Sequence, residues 1–199
     1  MDDSHAELQN ATFVSNHAAF GGGGLLVSSD AQVNANGSAF TSDDAYEGGA
    51  VYVHNSTLLA NRATFTHNTA VRRFRGPPHL AIKARLLDVA QSLGGAIEVS
   101  DAHAELRNAS FVRNVAILGG YLSLQRNICP ETHAGGGAAY ITSNSTVNAT
   151  FAAFTDNTVV NSSYGGSYGA VAVIISSVVN GSYSTFDGTT LPARLLLTP

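Results

Sequence analysis

Apolar residues come in short alternating bursts along the chain. Val51 and Val53, Ile97 and Val99, Ala139 and Ile141, and Val171 and Val173 are each separated by a single residue. A period of two marks a strand with one buried face. The opposite face is then assigned Val27, Tyr52, Glu98, Tyr140 and Ala172. A second apolar patch follows at Val33, Leu58, Leu106, Val147 and Val178, and a third centres on Phe13, Phe40, Phe65, Phe111, Phe154 and Phe186. Gly-Gly or a weakened form precedes each series. The pattern predicts three short strands per series, with turns between them.

Aligning the glycines gives five units: "GGLLVSSDAQVNANGSAFTSD", "GGAVYVHNSTLLANRATFTHN", "GGAIEVSDAHAELRNASFVRN", "GGAAYITSNSTVNATFAAFTDN" and "YGAVAVIISSVVNGSYSTFDGT". A truncated unit opens the chain. This explains why "HAELQNATFVSN" at 5–16 returns as "HAELRNASFVRN" at 103–114: the phrase is the closing half of a unit. One unit cannot bury its inner face alone, whereas stacked units can. An all-β solenoid of about six coils of about 25 residues follows. At a rise of about 4.8 Å per coil it would be roughly 30 Å long. Gly-Gly marks a tight corner. Asn16, Asp43, Asn68, Asn114 and Asn157 each lie three residues after a Phe, at Phe13, Phe40, Phe65, Phe111 and Phe154. Stacked, they form a structural ladder in which each side chain bridges to the next coil. Thr189 takes that place in the last unit, where the ladder is expected to end.

The turn between the ladder position and the next Gly-Gly varies most. It holds six residues after Asn16, four after Asp43, 25 after Asn68, 21 after Asn114 and ten after Asn157. All loop insertions therefore leave one corner, where insertions commonly build a binding surface. The expected organisation is a single β-helix domain over 1–190, with insertions at 69–93 and 115–135, a tail at 191–199, and a place in a larger protein. Gly136-Gly137 is read as the start of the fourth full unit, with Gly119-Gly120 inside an insertion or a degenerate coil. Residues 72–93 hold Arg72, Arg73, Arg75, Lys83 and Arg85, half of the ten basic residues. Pro77-Pro78 there can precede a short amphipathic helix carrying Leu80, Leu86, Leu87, Ala90 and Leu93. A lid or partner-docking helix is one reading; a surface insertion packed on the rod is the other.

Composition narrows the function classes. Only 12% of residues are charged and 44% are hydrophobic, so the chain is neither a disordered tail nor membrane-spanning by helices. A net charge of −4 argues against nucleic acid. Cys129 is the sole cysteine, which rules out an internal disulfide. The opening "MDDSHAELQN" has no leader character. No cofactor or metal is expected: the histidines lack ligand spacing, and "GGGG" at 21–24 has no strand-to-helix context for phosphate.

Catalysis on polysaccharide would need clustered carboxylates on one outer face with a basic residue nearby. Asp43, Asp44, Asp156 and Arg113 are the candidates. Arg113 and Asp156 take matching places one coil apart, which is equally the signature of a surface ion pair. Asn10, Asn36, Asn55, Asn108, Asn144, Asn148, Asn161 and Asn180 begin Asn-x-Ser/Thr sequons. Composition alone would give about three such motifs. Asn36, Asn55, Asn144, Asn148, Asn161 and Asn180 are the candidate glycosylation sites, because Asn10 and Asn108 are placed beside a buried strand. Turn-rich repeats also favour such neighbours without any glycan. Tyr52, Glu98 and Tyr140 form an outward column that could stack on sugar rings.

Gly48-Gly49-Ala50-Val51 and Gly94-Gly95-Ala96-Ile97, with FxxN tetrads ending at Asn16, Asn68, Asn114 and Asn157, resemble the polymorphic outer membrane protein repeats of chlamydiae. The resemblance covers most of the chain between 5 and 189. It implies a right-handed, pectin-lyase-like parallel β-helix, surface exposure and adhesion. The expected function is a non-catalytic, extracellular or cell-surface β-helix, binding a host or neighbouring-cell surface protein or glycan through its inserted loops. The alternatives are a polysaccharide lyase or hydrolase, and a passive spacer.

Overall fold

The structure, a computed structural model, describes residues 4–71, 93–118, 135–142, 144–161, 171–173, 178–180 and 185–187. These residues contain strands and no helix. Every strand pairing is parallel. The chain visits four stacked sheets in a fixed order and then begins again. The first sheet holds Leu25–Val27, Val51–His54, Ile97–Ser100, Ala139–Thr142 and Val171–Val173. The second runs from His5–Glu7 to Val178–Asn180 and the third from Thr12–Val14 to Thr185–Asp187, each with six strands. The fourth holds Asp44–Ala45, Thr69–Val71, Val115–Leu118 and Thr158–Asn161.

That fourth sheet goes beyond the three strands the sequence pattern predicts. It begins directly after the ladder residue, in stretches also read as the start of inserted loops. Thr69 pairs with Val115 and Val115 with Thr158, so these residues belong to the stacked body. Leu93–Gly94 pairs with Gly135–Gly136 at the return. The described body therefore resumes in register after each long insertion. The helix read over 72–93 lies outside the described residues except for Leu93, which is in a strand. Gly119-Gly120 and Cys129 also lie outside them.

Two details of the alignment are corrected. The pairing of Leu25 with Val51 and Val27 with Val53 makes Gly22-Gly23 the equivalent of Gly48-Gly49, one residue earlier than the glycine alignment suggests. Val27 consequently faces the core at 1% exposure, and Leu26 takes its place beside Tyr52. In the second sheet Ala104, not Leu106, stands between Leu58 and Val147, and Val179 follows Val147. Leu106 is also buried, one inward position further on. Ala139 pairs with Ile97, which confirms Gly136-Gly137 as a unit start.

Three rows of apolar side chains meet in the interior. Val51, Val53, Ile97 and Val99 come from the first sheet, and Leu58 and Ala104 from the second. Phe40, Phe65 and Phe111 come from the third. The Phe rings from Phe13 to Phe154 form one stack, with centroids 4.7, 5.0, 4.7 and 4.8 Å apart and planes within 5° of parallel. This spacing is the strand spacing itself. Each fully buried Phe contributes roughly 2–3 kcal/mol from area alone. Close backbone approach accounts for the second glycine of each pair: a Cβ on Gly49 would stand 2.2 Å from Gly95 O, and one on Gly95 2.0 Å from Gly137 O.

The ladder forms as the sequence predicts. The Asn68 backbone N–H donates to Asn114 Oδ1 at 3.0 Å and the Asn114 N–H to Asn157 Oδ1 at 3.0 Å. Each amide also reaches back, from Asn68 Nδ2 to Phe40 O at 3.0 Å and from Asn114 Nδ2 to Phe65 O at 2.9 Å. The residue before each rung turns the corner in the left-handed region. Ser15, Ser42, His67, Arg113 and Asp156 all have φ between 53° and 56°. The rung satisfies the backbone groups freed by that corner, so it is buried although polar.

Candidate functional site

The outer face of the first sheet carries the most unusual chemistry among the described residues. Register places Leu26, Tyr52, Glu98, Tyr140 and Ala172 in one column. Leu26 is 53% exposed, while Glu98 and Tyr140 are each only 5% exposed. Glu98 Oε2 is buried without a hydrogen-bond partner. Burial, and then the charge of Glu47, push the Glu98 carboxyl well above the ordinary glutamate range, against a hydrogen bond from the Gly94 backbone. Tyr52 is pushed up to about 12 by burial and by the charges of Glu47, Glu98 and Asp101. Glu98 thus holds its proton more tightly than an ordinary glutamate, and Tyr52 stays a phenol at neutral pH. Sequence reasoning singled out this column for sugar stacking but did not find the burial of Glu98. Alternation marks it as outward-facing, and outward residues are ordinarily wet.

The catalytic candidates resolve differently. Arg113 Nε lies 3.6 Å from Asp156 Oδ2, with side chains 62% and 46% exposed. The structure thus brings the two together as a surface ion pair on adjacent left-handed corners. Asp43 is fully buried in the ladder, and Asp44 contacts His17 at the surface. The four do not converge on one cleft. Among the described residues no group of three His, Cys, Asp or Glu side chains is placed to hold a metal ion. The repeated phrase makes the same local pair twice, His5 with Glu7 at 2.7 Å and His103 with Glu105 at 3.3 Å.

The sequons divide by backbone. Asn10, Asn55, Asn108 and Asn144 are exposed and have φ between 45° and 56°. Asn10 and Asn108 thus stand on open corners, not beside a buried strand as their neighbours suggest. Asn enters this conformation more readily than other non-glycine residues. The fold alone therefore accounts for half of the sequon asparagines. Asn36 is half-buried and accepts from the Asn61 N–H at 2.7 Å. Asn148 accepts from Thr150 Oγ1 at 2.6 Å. The Asn161 and Asn180 side chains lie outside the described residues.

No helix among the described residues is long and apolar enough to cross a membrane. No known family model matches this chain, and neither a curated protein nor a solved structure does so.

Proposed function

We propose that the chain closes into a right-handed parallel β-helix acting as a rigid, non-catalytic display module, extracellular or on a cell surface. Its inserted segments, 72–92 and 119–134, would engage a surface protein or glycan of a host or neighbouring cell. The carrying observation is the uninterrupted register around both insertions: Val71 pairs with Ile117 before them, and Leu93 with Gly135 after them. A stack that accepts long insertions at one corner without slipping is suited to presenting them side by side. Handedness follows from the strong preference of parallel strands in one sheet for right-handed crossovers. The FxxN and GGA[ILV] resemblance supports surface exposure. The exposed Arg113–Asp156 pair gives no support to a hydrolase or lyase.

The test replaces residues 72–92 with a short Gly-Ser linker and measures circular dichroism, melting and binding to immobilised glycans and intact cells. The expected result is an unchanged β spectrum with at least a tenfold loss of binding. Retained binding by the folded variant overturns the display reading. New reducing ends released by the parent from polysaccharides would replace it with catalysis.

A further inference from the structure

Among the described rungs of the ladder, only Asp43 lacks a side-chain amide. Asn68, Asn114 and Asn157 donate from Nδ2 to the Phe carbonyl of the preceding unit, at 3.0, 2.9 and 2.9 Å. Asn68 and Asn114 also donate from Nδ2 to Oδ1 of the next rung, at 3.1 and 2.9 Å. Asp43 reproduces every contact that needs only an acceptor or the backbone. Its Oδ1 accepts from Asn16 N and Nδ2 at 2.9 and 2.8 Å, and its own N–H donates to Asn68 Oδ1 at 2.9 Å.

The second oxygen, Oδ2, occupies the place of the amide nitrogen. By equivalence with the amide nitrogens of Asn68 and Asn114, the groups that would answer it are the Phe13 carbonyl and Asn68 Oδ1, both acceptors. Oδ2 is buried without a partner, and the residue is 0% exposed. Apolar groups are also close by: a Cβ on Gly24 would stand 3.2 Å from Oδ2, from Phe13 Cβ and from Phe40 Cδ1. Acceptors facing one another with no hydrogen between them repel, and a buried anion in such a place is costly. Asparagine meets this position with N–H, and a carboxylic acid meets it with O–H.

We propose that Asp43 is held as the neutral acid, its Oδ2 proton donated to the Phe13 carbonyl, making the joint between the first two units one that acid tightens. The titratable groups beside it are Asp44 on its own segment, His17 in the unit before, paired with Asp44, and His67 on the exposed corner of the unit after. The flanking rungs Asn16 and Asn68 are uncharged. Burial first, and then the Asp44 charge, raise Asp43 above the ordinary aspartate range, while hydrogen bonds from Asn16 and the Thr41 backbone pull it down. A group raised on folding binds its proton more tightly in the folded chain. Its contribution is fully present below the ordinary aspartate value and is lost as pH rises through the folded value.

The experiment compares melting of the parent and Asp43→Asn across about pH 4 to pH 8, and follows the Asp43 carboxyl carbon by NMR in the parent. Glu98 titrates in both chains, so the difference between them isolates Asp43. Asp43→Asn is expected to melt above the parent at the alkaline end, with a gap that narrows toward the acid end. The carboxyl resonance is expected to titrate above the ordinary aspartate range. A gap of constant size, a variant that melts below the parent at the alkaline end, or an ordinary carboxyl titration overturns the proposal. The NMR titration decides the matter even if the variant fails to fold.

Discussion

The inward Phe column and the outward column through Glu98 are built on the same strand spacing, but they accept different variation. Inside, Phe13, Phe40, Phe65, Phe111 and Phe154 repeat without exception, because each ring is the floor for the next. Outside, Leu26, Tyr52, Glu98, Tyr140 and Ala172 share neither size nor charge. A ring of another shape inside would break two stacks and leave a void, whereas an outward residue answers only to what covers it. Repetition in this chain is therefore strictest where ring stacks on ring, while the inward column of Val33, Leu58, Ala104 and Val147 already varies in size and the outward column varies in charge as well.

Mutations at each column sharpen that contrast. Phe111→Ala is expected to have the largest effect, a loss of about 4 kcal/mol read by denaturant unfolding, because the ring is 0% exposed between two neighbours. Asn114→Ala comes next, at about 3 kcal/mol, since the buried Asn68 N–H and Phe65 carbonyl lose their partners. A loss below about 1 kcal/mol would show that the ladder is dispensable. Glu98→Gln acts in the opposite direction and by less. Glu98 is raised on folding, so the parent loses stability as pH climbs from the ordinary glutamate range through the folded value. The amide should flatten that slope and melt higher at alkaline pH; identical pH profiles would place Glu98 in contact with water. Arg113→Ala is expected to change stability by less than about 0.5 kcal/mol, and a larger loss would mean the ion pair is more than a surface contact.

Much of the architecture was legible because the Phe stack writes the same letter in every unit and the ladder departs from Asn only at Asp43 and Thr189. Phe and Asn three apart fix the third sheet and its corner without ambiguity. The fourth sheet was hidden for a physical reason. Its inward residues are Ala45, Ala70 and Ala116, too small to make an apolar signal, and its strands run directly into the insertions. The frame of the first unit was misread because Gly21 to Gly24 are four identical letters, and only pairing distinguishes them. Glu98 was placed on the correct face, but its burial depends on tertiary cover, which alternation does not report. Arg113 and Asp156 were correctly brought together by counting along the repeat, and their exposure then decided what the pair means.

The left-handed corners before the rungs have a practical side. Ser15, Ser42, His67, Arg113 and Asp156 are exposed, share one backbone geometry and succeed one another at a pitch of about 4.8 Å. The ladder residue behind each corner does the structural work, which leaves the corner side chain free to differ. The protein thus carries a molecular ruler along one edge. Its marks are five exposed side chains that can be exchanged one at a time without touching the ladder residue behind them.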